Sequence, residues 1–187
     1  MPQPTIVSRA SAFGSTGQSK GASRVTYQAQ YTYRSKGKEA TVTVAQSPPK
    51  YFFKYGTSGY ALYTGKATYG CSATVCVSYA TEAPIAATLG IFNGTLFQDS
   101  VHGYAVTALK EPDSSVSFGS STVAGLHSNC VTVDMRVKMF TWCVAQSNGI
   151  LTSSSTSSWS FRLTSFTTSP SRSDFKVPTG VKIVAVP

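Results

Sequence analysis

The chain has 187 residues, 41% hydrophobic and only 12% charged, with sixteen Lys and Arg against seven Asp and Glu for a net charge of +9. That is enough apolar content for one domain with a buried core, and the abundance of Ser, Thr, Tyr and Phe favours strands over helices. No apolar run in this sequence nears the roughly 18 residues of a membrane-spanning helix. The basic excess points to an anionic partner such as a lipid headgroup, a cell-wall polymer or nucleic acid. Scattered as they are, the cations also suit solubility alone.

Residues 1–23 are rich in Ser, Gly and Ala with little periodicity, and read as a flexible lead-in to a domain over residues 24–187. The opening MPQPTIVSRASAFG lacks the apolar stretch of a signal peptide. Arg24–Gln46 is a hairpin folded about Lys36-Gly37. One face then pairs Tyr33 with Ala40, Tyr31 with Val42, Ala29 with Val44 and Tyr27 with Gln46. The other pairs Arg34 with Glu39, Thr32 with Thr41 and Gln30 with Thr43. Slipping one residue would mix an apolar with a polar face, so the register is specified. Ser47-Pro48-Pro49 interrupts the ladder. Short strands follow at Tyr51–Lys54, Gly59–Tyr63, Lys66–Gly70 and Val75–Tyr79, set apart by Gly- and Ser-containing turns.

Between Thr81 and Leu109 the period changes. Thr81 can cap, Pro84 suits a first turn, and Ile85, Leu89 and Phe92 recur at helical spacing until Asn93-Gly94. A second helix starts near Thr95, with Leu96, Phe97, Val101 and Tyr104 on or near one side. Two such short helices need a surface to dock on, and the apolar side of the sheet is the surface available. Strands resume at Val116–Thr122, Cys130–Met135, Lys138–Ala145, Ile150–Ser154 and Trp159–Thr167. Asn148-Gly149 is a turn signal, and after a loop-like tail a last strand is expected at Val181–Ala185.

Four cysteines allow three connectivities. The two local pairs, Cys71 with Cys76 and Cys130 with Cys143, would each close a hairpin. Folding the second segment about Arg136-Val137 places Cys130 opposite Cys143 and Thr132 opposite Thr141. Val131–Trp142 and Val133–Phe140 pair on the other face. The spacings match no zinc pattern, and with two histidines in the chain no metal is expected. The alternatives are two disulfides or reduced core thiols. Disulfides imply an oxidising compartment, and on that reading an extracytoplasmic protein, secreted or of the cell envelope, is expected, with its leader expected to be missing from this sequence.

Catalytic patterns are absent: there is no G-x-S-x-G elbow, no phosphate-binding G-x-x-x-x-G-K and no H-E-x-x-H. Asp99 and His102, three apart on the second helix, could act as a base and its orienter, or form an ordinary surface pair. Lys50–Tyr55 interleaves aromatic and basic residues as single-strand binders do. However, alternation puts Tyr51, Phe53 and Tyr55 on one face and Phe52 on the other with the lysines, so core packing accounts for it. Neither an enzyme, a cofactor nor a nucleic-acid partner is expected.

The long early hairpin, the strand exit Thr41–Lys50 (TVTVAQSPPK), the stretch Pro84–Leu96 with its IFNGTL turn, and Phe161–Pro178 together resemble exported proteins of the LolA-like half-barrel superfamily. That group includes the lipoprotein carriers LolA and LolB and LprG/LppX-type lipoproteins. The resemblance implies an α+β fold that is mainly antiparallel β: a strongly curved half-barrel sheet whose concave side is covered by the helix pair. It also implies a cavity for acyl chains or another greasy molecule. Its members usually carry an N-terminal helix and, where anchored, a lipidated cysteine; residues 1–23 offer neither. The expected cavity walls are Tyr27, Tyr31, Val42, Val44, Val131, Val133, Phe140, Trp142, Phe161 and Leu163, with Ile85, Leu89, Phe92, Leu96, Phe97 and Val101 from the helices. Such a monomer would carry a lipid or other hydrophobic small molecule, with the cations favouring an anionic membrane surface. The alternative is a filled core and an envelope sensing module that binds a protein, as in sigma-factor regulators of the same fold.

Overall fold

The computed structural model describes residues 25–57, 59–79, 92, 95–108 and 110–186. Their strands are β1 (Tyr27–Ser35), β2 (Lys38–Ser47), β3 (Lys50–Tyr55), β4 (Gly59–Tyr63), β5 (Thr68–Cys71), β6 (Val75–Tyr79), β7 (Ser114–Val123), β8 (Leu126–Met135), β9 (Lys138–Ala145), β10 (Leu151–Ser155), β11 (Trp159–Thr167) and β12 (Lys182–Ala185). They form one open, curved sheet in the order β12-β6-β5-β4-β3-β2-β1-β11-β10-β9-β8-β7. Every neighbouring pair is antiparallel except β12, which returns beside β6 in parallel.

The β1–β2 register is the one its sequence dictates, from Tyr27 opposite Gln46 through Arg34 opposite Glu39. Lys36 and Gly37 both adopt positive φ, as a two-residue turn matched to strand twist requires. Tyr27, Ala29, Tyr31, Val42 and Val44 are wholly buried on what is here called the inner face. On the outer face Arg34 Nε donates to Glu39 Oε2 at 2.7 Å in full exposure.

Next to β1 lies β11, and their pairing is broken by one residue. Tyr31 faces Leu163 while Gln30 faces Ser165, leaving Thr164 as the extra residue of a bulge. Its hydroxyl donates to the Gln30 carbonyl at 3.0 Å. The bulge changes the parity of β11, so that Phe161, Leu163 and Phe166 all reach the inner face, with Phe166 stacked 6.1 Å from Tyr27. A second irregularity, at Thr152, sits between β10 and β9. The Thr152 hydroxyl lies 2.8 Å from that of Ser128 and 3.1 Å from the Cys143 carbonyl, all buried. Bulges bend a strand and increase its twist, which gives the sheet its curl.

Among the described residues there is one α-helix, α1 (Thr95–Ala108). Its start agrees with the sequence reading, but a helix pair is not what the structure supports. The first predicted helix, with Ile85 and Leu89, lies outside the described residues apart from Phe92, and so does the 1–23 lead-in. Nor does α1 cover the concavity as a whole. Val101, Ala105 and Ala108 recur at i, i+4 and i+7, and this stripe docks on the β7–β9 end alone. The tail predicted as loop holds a one-turn 3₁₀ helix, Arg172–Phe175, in which Ser173 N–H donates to the Ser171 hydroxyl. Val177 and Val181 then pack on the outer face against Leu62, Phe52, Tyr60 and Tyr69.

The cysteines pair as Cys71–Cys76 and Cys130–Cys143, each joining directly opposed residues of adjacent strands. Thr132 and Thr141 hydroxyls meet at 3.1 Å beside the second bridge.

Burial holds the Tyr27 and Tyr31 hydroxyls well above the ordinary phenol value of 10.0. The folded chain therefore keeps two protons that the unfolded chain loses, and stability must fall as pH rises past that value. The urea midpoint is expected to drop between about pH 9 and pH 11, with tyrosinate absorbance from these two rings appearing only on unfolding. Tyr31→Phe removes the 2.8 Å bond to the buried Leu151 carbonyl and should cost about 1–3 kcal/mol in the same assay.

Candidate functional site

The expected cavity walls fall into two separate clusters. Around β1 and β2, Tyr27, Tyr31, Val42, Val44 and Leu163 pack with Phe92, Ile150 and Leu151, and Phe161 lies against them. At the far end, Val131, Val133 and Trp142 pack with Val101 of α1, flanked by Phe140. The first cluster also takes in Leu151 of β10, Val123 of β7 and Ala145 of β9, while the inner-face β10 residue Ser154 stands opposite both Phe161 and Trp142. Ser154 is buried but small, so no large side chain bridges the clusters there.

Phe92 fills the centre of the first cluster. It is 2% exposed, with ring centroids 5.0 Å from Tyr31, 5.8 Å from Phe161 and 6.0 Å from Phe53. These are favourable separations for tilted and edge-on aromatic pairs. Its carbonyl accepts from Leu151 N–H at 2.9 Å, so main chain and ring are fixed together. Tyr31 completes the arrangement by donating to the carbonyl of Leu151. The Tyr31 hydroxyl is thus turned inward. That of Tyr27, wholly buried, finds no hydrogen-bond partner among the described residues.

In the second cluster, Tyr104 stacks 4.4 Å from Phe140 and 5.9 Å from Trp142, and the last two are stacked on each other at 5.4 Å. This ladder runs from the core to the surface, since Tyr104 is 37% exposed. Leu96 and Phe97 belong to α1, but their side chains, like those of Asp99 and His102, are not among those described. Phe53 packs on the core as its alternation indicates, whereas Ala105, Ala108, Ile150, Leu151 and Phe166 carry no clear signal in the sequence. The alanines are too small to signal burial, and Phe166 is out of phase with Phe161 and Leu163 until the bulge realigns it.

Among the described residues no group of three or more His, Cys, Asp or Glu side chains could hold a metal ion. His127 Nδ1 lies 3.1 Å from Thr122 Oγ1 across an exposed strand pair. No described helix is long and apolar enough to cross a membrane. Two recesses open away from the inner face. One, of about 410 Å³, lies between the β1–β2 turn and the β10–β11 loop and includes Arg34, Lys38 and Trp159. The other, of about 620 Å³, lies at the opposite rim beneath the C-terminal segment.

An open, curved antiparallel sheet with a helix on its inner face is the architecture expected of a half-barrel. No protein-family profile matches the chain and no curated protein matches its sequence. In three dimensions it is similar to MucB. A chain of the Pseudomonas aeruginosa MucA/MucB complex superposes with TM-score 0.60 at 14% identity, over 95% of this chain and 64% of that one. MucB alone gives 0.61 at 13% identity, over 95% and 66%, and MucB in complex with MucA(peri) gives 0.52 at 12%, over 91% and 61%. This chain therefore spans less than two thirds of the length of each. At these identities the likeness is one of fold.

Truncating the central ring tests the filled core. Phe92→Ala should lower stability by about 3–5 kcal/mol in urea unfolding; an unchanged midpoint would show that the ring does not support the sheet.

Proposed function

We propose that this chain is a non-enzymatic protein-interaction module of the cell envelope, built on a LolA-like half-barrel with a filled core. The observation that carries this reading is the packing of Phe92 against Tyr31, Phe53 and Phe161, which occupies the space where an acyl chain would lie. A site for an acyl chain is apolar, whereas cations and hydroxyls are among the residues that line the two recesses. Support for a protein partner comes from the fold, since MucB was crystallised with MucA. The two disulfides fit the oxidising conditions outside the cytoplasm.

Partner contact then belongs to the surface around the core rather than to the core itself. Tyr104, reaching solvent from a stacked aromatic ladder, is the kind of rigid anchor that dominates interfaces. Solvent extraction of the purified protein followed by mass spectrometry separates this reading from a lipid carrier. The expected result is no lipid near one equivalent, together with crosslinking of the envelope-expressed chain into one complex of defined stoichiometry, weakened in Tyr104→Ala. A lipid recovered at about one per chain, or no complex at all, would overturn the proposal.

A further inference from the structure

The recess of about 620 Å³ lies on the outer side of the sheet, where the start of β1 and the ends of β2 and β11 adjoin. Thr26, Ser47 and Lys50 are in phase with the outer face, because Tyr27 and Gln46 beside them point inward. The chain leaving β11 supplies the opposite wall. Three cations line the space, namely Lys50, Arg172 and Lys176. Thr26, Ser47, Thr168 and Ser169 add four hydroxyls, and buried Phe175 forms an apolar floor. No carboxylate is among the lining residues, and none pairs with these cations among the described residues, where the ion pair found is Arg34–Glu39.

Asp174 is the acid closest in sequence. Burial raises its carboxyl pKa and a Ser171 backbone hydrogen bond lowers it. It is not among the residues that line the recess. Three like charges lining one recess without a counter-charge among its lining residues repel one another, and an anion bound there relieves that cost. A tetrahedral oxyanion suits the set, since the Arg fork can take two of its oxygens, the lysines supply point charges, and the hydroxyls complete the remaining bonds. The recess is also larger than a bare anion needs, and it falls within the usual range for small-molecule sites.

We propose that this recess binds a phosphate ester carried on a hydroxylated group, the chemistry common to soluble sugar phosphates and phospholipid headgroups. The site is independent of the filled core, because the sheet separates it from the inner face. The cations are exposed, so binding is modest in strength and sensitive to salt.

The test uses the full chain and nuclear magnetic resonance titration, with inorganic phosphate, glucose 6-phosphate, and vesicles of phosphatidylglycerol or phosphatidylcholine as probes. Shifts are expected at the amides of Ser47, Lys50 and Ser169–Lys176. Arg172→Gln should weaken glucose 6-phosphate about tenfold or more, whereas Lys138→Gln, at the distant β8–β9 turn, should change it by less than about twofold. Both side chains are exposed, so the variants should melt with the parent. Binding of glucose 6-phosphate but not of vesicles supports a soluble ligand. Retention on phosphatidylglycerol and not phosphatidylcholine, lost in Arg172→Gln, supports a headgroup. Absence of shifts with every probe, or equal weakening by Lys138→Gln, overturns the site.

Discussion

The single extra residue in β11 is the constraint on which the inner face depends. Side chains alternate along a strand, so Phe161 and Leu163 cannot share a face with Phe166 unless the count is broken between them. Thr164 breaks it, and its own hydroxyl compensates by bonding to Gln30. As a result Leu163 lies opposite Tyr31 and Phe166 opposite Ala29, and the aromatic row of β1 is matched along its whole length. Phe92 then rests on that row. Without the bulge, Phe166 would face solvent whenever Phe161 and Leu163 face inward.

Much of this was legible in the sequence where each residue had a reason to face one way. The β1–β2 hairpin has polar and apolar faces that agree at every pair, and its register follows. The Cys130–Cys143 ladder was legible for the same reason, since Thr132–Thr141 and Val131–Trp142 choose opposite faces. The β7–β8 turn was not, because Leu126-His127-Ser128-Asn129 reads as a loop. Ser128 is buried there by bonding to Thr152, a contact between small polar residues 24 positions apart. One continuous cavity was expected because sequence lists apolar residues without their order across a sheet. Both groups draw on β7–β9, the first through Val123 and Ala145, but α1 lies beside only the second. Phe92, expected in the covering layer, sits at the middle of the first group.

The two faces are secured by different means. The inner face relies on aromatic packing beneath Phe92 and α1. The outer face carries both disulfides, since Cys71 and Cys76 share their side with Leu62 and Cys130 and Cys143 point away from α1. Near the Cys71–Cys76 end the C-terminal segment adds a second layer through Val177 and Val181. Its passage across that side also walls the cationic recess, so one stretch of chain serves packing and a charged rim together.

The order of strands has a further implication for assembly. From β1 to β6 each strand lies beside its predecessor, as does each from β7 to β11; only the β1–β11 seam and the β12 return join distant positions. The molecule is thus two meanders, each zipped locally, joined at the β1–β11 seam and again where β12 returns to β6. The seam closes the longer loop, carries the larger entropy of looping and is the slow event in forming the sheet. A nick at the exposed Lys110–Asp113 connection would separate complementary halves whose reunion depends on β12 and on that seam. Its ladder would then be an interface between fragments rather than a fold within one.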